Sequence, residues 1–71
     1  MGTKPGFPDL FLPIAMGPFN GLFIEMKVST GKVSISQKAY IPLLVDEGYR
    51  VDVCYSAQGA INLIKSYLEL E

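Results

Sequence analysis

Two stretches of alternating residues, 22–28 and 49–55, are separated by twenty residues that carry both a helix start and a helix stop. In the first, Leu22, Ile24, Met26 and Val28 point one way and Phe23, Glu25 and Lys27 the other. In the second, Tyr49, Val51, Val53 and Tyr55 alternate with Arg50, Asp52 and Cys54. A period of two over this length marks strands. Between them, Gly31 lies in a turn over 29–33, and Ser34-Ile35-Ser36-Gln37 has the spacing of a capping box. The helix that follows runs towards Glu47, with Ala39, Tyr40, Leu43 and Leu44 as its expected apolar stripe. Pro42 should kink it or weaken one turn, and Gly48 should end it in the C′ position. A strand-helix-strand connection of this length makes the two strands parallel, with a right-handed crossover.

The flanking segments complete the pattern. Residues 9–14 read as a further strand, with Leu10, Leu12 and Ile14 on one face and Asp9, Phe11 and Pro13 on the other. Pro13 cannot donate to a ladder, so this strand is an edge or ends there. Residues 15–21 hold two glycines, a proline and an asparagine, a loop joining two antiparallel strands. Ser56 can cap a last helix through Leu70, with Ala60, Leu63, Ile64, Tyr67 and Leu68 as its buried stripe. The order is β-β-α-β-α. The expected class is α/β: a small mixed three-stranded sheet flanked by helices. Residues 1–71 form a single domain with no linker, and the Gly/Pro-rich start is irregular over at least residues 1–5.

Composition removes several chemistries. The chain has no histidine, which excludes His-based triads, His metal sites and His general bases. Cys54 is its one cysteine, so no internal disulfide can form and a reducing compartment, the cytoplasm, fits best. With no histidine to activate it, Cys54 reads as a small core residue on a strand. There is no signal-peptide pattern, and no apolar run approaches the roughly 18 residues of a membrane span. Yet 49% of the residues are hydrophobic and the mean hydropathy is +0.30. A domain this small and this apolar is expected to cover part of its surface with a second copy of itself.

Charge is uneven. Residues 1–38 carry Lys4, Lys27, Lys32 and Lys38 against Asp9 and Glu25, a balance of +2; residues 39–71 balance at -3. Asp9 follows Pro8, and fifteen residues separate it from Glu25-Met26-Lys27. A hairpin would bring the start of the first strand near the end of the second. Two carboxylates brought together repel, a penalty that a divalent cation removes. Lys27 would stand beside them, able to hold an attacking water or stabilise a pentacovalent phosphate. With the cation bound, the first half becomes a positive face suited to a phosphate backbone. Taken alone, the same residues also fit an exposed ion pair between Glu25 and Lys27, a turn at Pro8-Asp9 and a capping role for Gln37.

The arrangement of the pieces is more specific. GFPDLFL, then LFIEMKVSTGKVSISQKAY, then LLVDEGYRVDVCYSAQGAINLIKSYL resembles the virus-type replication-repair nuclease (VRR-NUC) domain of the PD-(D/E)xK nuclease superfamily over nearly all of residues 6–68. The resemblance implies a restriction-endonuclease-like core and a metal-dependent endonuclease using Mg²⁺ or Mn²⁺. Asp9 and Glu25 would be metal-binding carboxylates, with the Met26 backbone carbonyl as a further ligand. Lys27 would be the catalytic lysine and Gln37 the helix-borne glutamine near the site. Lys4, Lys32 and Lys38 are candidate phosphate contacts. Stand-alone members resemble junction resolvases and act as homodimers, which implies branched or Holliday-type DNA and a viral or prophage source.

The family usually carries helical sequence ahead of this core, often with another acid reaching the metal. Here eight residues precede Asp9, so that upstream helix is expected to be absent. The alternative is therefore a nuclease-fold module that binds DNA or a partner protein without cutting.

Overall fold

The computed structural model describes residues 8–27 and 35–70, the side chains of 35–39 excepted. The elements follow the expected order: β1 (Leu10–Leu12), β2 (Leu22–Met26), α1 (Ile35–Asp46), β3 (Arg50–Cys54) and α2 (Ala57–Leu68). The sheet order is β1-β2-β3, with β2 in the centre. β1 runs antiparallel to β2, pairing Leu10 with Ile24 and Leu12 with Leu22. β3 runs parallel to β2, from Leu22 opposite Arg50 to Met26 opposite Cys54. The mixed three-stranded α/β fold read from the alternation is the fold observed.

The strands are shorter than expected. β1 stops at Leu12 because Pro13 has no N–H to continue the ladder. The connection to β2 is built rather than loose. Met16 and Phe19 exchange backbone hydrogen bonds of 3.0 and 2.9 Å, and Gly17 takes a φ of 54° between them. The Tyr67 hydroxyl of α2 donates to the Ile14 carbonyl. At the far end of the loop, the Asn20 side chain donates to the Glu47 carbonyl at 2.8 Å and its backbone N–H to that of Gly48 at 2.7 Å.

Gly48 ends α1 as expected. Its φ is +90°, its N–H bonds the Val45 carbonyl at 3.0 Å, and the Tyr49 N–H reaches back to Leu44 at 3.1 Å. These are the two bonds of a Schellman motif, and they satisfy carbonyls that a helix end leaves open. α1 runs through Pro42, which lies on its exposed side. Ser56 is extended and its hydroxyl accepts the Gly59 N–H at 3.0 Å, capping α2. Ser34, Gly31 and Val28 lie outside the described residues, as do the irregular start and the side chain of Ala39.

The core lies between the sheet and α2: Leu22, Ile24, Cys54, Ala60 and Tyr67, with Leu63 and Ile64 packed against them. Cys54 is buried there, as its strand position implied; burial first, and the Asp52 carboxylate second, push its thiol above the ordinary range. Two expected core residues are not core. Leu43 is 60% exposed and Leu68 43%. Among the described side chains of α1, the half-buried ones are Tyr40, Ile41 and Leu44, a stripe centred on Leu44. Leu43 and Val45, about 100° to either side, therefore face out. Leu68 is likewise one step of about 100° past the buried Tyr67. Among the described residues, no helix is long and apolar enough to cross a membrane.

Candidate active site

The central strand sets the site. Phe23 and Glu25 are both buried although they alternate with the core residues Leu22 and Ile24. Both faces of β2 are thus covered, as a strand between two neighbours in an α/β sheet requires. Glu25 is 6% exposed, the single buried charged residue among those described. Its Oε2 lies 3.3 Å from Lys27 Nζ, and the two side chains are only 7% and 19% exposed. The reading of these two as an exposed surface pair therefore fails. Burial of a carboxylate demands that its oxygens be satisfied. Oε1 is not: it is buried and has no hydrogen-bond partner among the described residues.

Asp9 stands one step beyond the last pair of the β1–β2 ladder. Leu10 faces Ile24, so continued register places Asp9 opposite Glu25. Its Oδ2 accepts the backbone N–H of Met26 at 3.0 Å. Pro8, which would face Met26 in a continued ladder, has no N–H to give to the Met26 carbonyl. On the other side, the Lys27 N–H bonds the Cys54 carbonyl at 2.9 Å. The Glu-Met-Lys segment is therefore held from both neighbouring strands. Of the expected hairpin proximity, the register and the Met26 bond bring Asp9 to the Glu25-Met26 segment. The bond from Met26 to Asp9 is not legible in the sequence, because alternation assigns faces but says nothing of register across a nine-residue connection between β1 and β2.

Could these residues hold a cation? With Oδ2 committed to Met26, Asp9 can offer Oδ1. Glu25 offers an orphaned Oε1, and the Met26 carbonyl lies on the same strand between them and Lys27. Hard oxygens of this kind suit Mg²⁺ or Mn²⁺, and Mg²⁺ is commonly held by one or two carboxylates plus waters and substrate phosphate. Among the described residues no group of three or more His, Cys, Asp or Glu gathers. The donor set fits a cation that keeps several waters.

A feature missed in the sequence flanks these groups. Phe11 and Phe23 face each other across the β1–β2 pair and stack at 4.4 Å with an interplanar angle of 15°. Tyr49 meets both edge-on, at 5.9 and 5.2 Å. Phe11 lies two residues from Asp9 and Phe23 two from Glu25. The sequence signal was the pair of aromatics at matching offsets from the two acids. Gln37 belongs to the first turn of α1, but its side chain and that of Lys38 lie outside the described residues, as do Lys4 and Lys32.

Comparison with known proteins decides the family. The VRR-NUC domain model matches residues 1–58, most of the chain. The chain belongs to the VRR-NUC family. It is also similar to a solved VRR-NUC domain protein, with 37% identity and a TM-score of 0.89 over 99% of this chain. That alignment covers 59% of the other protein, so this VRR-NUC chain spans about three fifths of that relative's length. No curated protein matches the chain. The family is one of nucleases, and the three-stranded sheet with its two helices is the fold of the solved relative.

Proposed function

We propose that this chain is a metal-dependent, structure-specific DNA endonuclease that hydrolyses phosphodiester bonds at branched or Holliday-type DNA. The observation that carries the proposal is the buried Glu25, paired with Lys27 through one oxygen and left unsatisfied at the other. A carboxylate so placed is costly unless something that binds there repays it.

Asp9, Glu25 and the Met26 carbonyl would hold Mg²⁺ or Mn²⁺. Bound there, such an ion supplies Lewis-acid polarisation of the phosphate and lowers the pKa of a coordinated water. Lys27 places a positive charge next to Glu25, where it stabilises the negative charge that builds on the attacked phosphate. The Met26–Asp9 and Lys27–Cys54 bonds keep these groups from shifting as the substrate docks. Gln37 would orient groups near the site from the first turn of α1, and Lys4, Lys32 and Lys38 would contact the phosphate backbone. A homodimer would present two such sites to the matching strands of a junction. The cytoplasm, of a host cell if the gene is carried by a phage, is the compartment in which we place it.

The test is a cleavage assay in Mn²⁺ and in Mg²⁺ on a labelled four-way junction, flap, splayed arm and linear duplex. Wild type should cut branched DNA, and Glu25→Ala should fold but not cut. An active Glu25→Ala protein sinks the assignment. A folded wild type that binds DNA, takes up no Mn²⁺ in calorimetry and leaves no product is the non-cutting module.

A further inference from the structure

Phe11 is 49% exposed although its ring stacks on that of Phe23 at 4.4 Å. One face of its ring stacks on Phe23, and Tyr49 closes in edge-on. Gly21 completes the seat: a Cβ there would meet Phe11 Cε1 at 3.0 Å and Tyr49 Cδ1 at 3.2 Å. A side chain at position 21 would press on the ring, which would have to give by a few tenths of an ångström. An exposed aromatic normally retains rotamer freedom; here Phe23 on one face and Tyr49 at the edge restrict it. A pre-positioned flat apolar surface gives up little entropy when another ring settles on it.

Its position says what that ring is. Phe11 is two residues along β1 from Asp9, about 7 Å by strand geometry. That is about one nucleotide step from the phosphate that Asp9 and Glu25 would engage. We infer that Phe11 is a stacking platform for an unpaired nucleobase flanking the scissile phosphate. Among the branched substrates proposed above, it favours those with unpaired nucleotides at the cut: a flap, a splayed arm or the open centre of a junction. Every base has a π face, so such a platform reads strandedness and not sequence. The choice of substrate rests on the nuclease reading above; the stacking itself does not need the metal.

Binding is therefore measured in EDTA, with a single-stranded oligonucleotide carrying 2-aminopurine, a splayed arm and a blunt duplex. Wild type should quench the 2-aminopurine. Phe11→Leu, which keeps apolar packing but has no π face, should weaken single-strand and splayed-arm binding about ten-fold, and change duplex binding by less than about two-fold. Phe11→Tyr should restore both affinity and quenching. Wild type that binds the oligonucleotide without quenching overturns the inference, and this holds even where Phe11→Leu melts too low to use. Equal losses on duplex and single strand overturn it as well. Glu25→Gln separates the two proposals: it should keep the quenching and lose the cleavage. Cleavage by a wild type that does not quench leaves the nuclease and removes the platform.

Discussion

Replacing Glu25 by Gln should make the metal-free protein more stable and the metal-loaded protein less so. Glu25 is a charged group, 6% exposed, with one oxygen lacking a partner. An unsatisfied buried polar atom costs about 1–3 kcal/mol, and a charged one costs more. Gln keeps the shape and removes the charge. Against this stands the lost pairing with Lys27 at 3.3 Å. Breaking a buried pair is severe when the abandoned partner is itself trapped. Lys27 is not: its side chain is 19% exposed, and its long stem lets the ammonium reach water. With that access, the lost pairing costs well under the roughly 3–5 kcal/mol of a fully trapped partner.

The net expectation in EDTA is a gain of about 1 kcal/mol, or roughly 4–8 °C in Tm for a domain of this size. In Mn²⁺ at about a hundred times its Kd, wild type gains about 2.7 kcal/mol by linkage, and Glu25→Gln, having lost a ligand, gains little. The ranking of the two proteins should cross. Differential scanning calorimetry of both, in EDTA and across a Mn²⁺ titration, measures this directly. A Glu25→Gln protein that melts below wild type in EDTA would mean that Oε1 is satisfied in solution. Parallel Mn²⁺ shifts in both proteins would mean that the cation binds elsewhere.

Two further expectations concern the frame. Gly48→Ala puts a Cβ at a residue with φ +90° and within 2.4 Å of Asn20 Nδ2. Backbone strain of about 1–2 kcal/mol and a lost hydrogen bond of about 1 kcal/mol should lower stability by about 2–3 kcal/mol in urea denaturation; a loss below about 0.5 kcal/mol would count against the Schellman end of α1. Cys54 is buried with a raised thiol pKa, so the unfolded chain releases that proton at a lower pH than the folded one. Stability from this group is full below the unfolded thiol pKa and falls as pH rises from there through the folded value. Wild type should therefore lose more stability between neutral and alkaline pH than Cys54→Ala, and native Cys54 should react with a thiol reagent far more slowly than the denatured chain.

Much of this was written in local pattern. Strict alternation gave β2 and β3 their faces, and Ser56 and Gly48 marked helix ends because each supplies what the backbone there needs, an acceptor in one case and a positive φ in the other. The length of the connection determined that β2 and β3 are parallel. What stayed hidden depends on register and coverage. Leu43 reads as core because i, i+3 and i+4 spacings tie it to Tyr40 and Ala39; only the neighbouring sheet decides that the stripe centres on Leu44. Alternation put Phe11 on the face of Asp9 but could not say that half the ring stays open. The burial of Glu25 was equally unreadable, since an i, i+2 pair with Lys27 has the same sequence whether it lies on a surface or inside.

That burial ties the chemistry to the fold. Glu25 sits on the one strand with a neighbour on each side, and the residues after it are bonded to both: Met26 to Asp9, Lys27 to Cys54. A site placed there inherits the rigidity of the sheet, which a loop does not provide. The same placement denies Glu25 the water that would solvate it at a strand end. A 71-residue chain has little core to spare for an unsatisfied carboxylate. Precision and instability thus have one cause, the central position of β2. A ligand that completes Oε1 should accordingly raise stability and activity together, with half-saturation at the same cation concentration in melting and in cleavage.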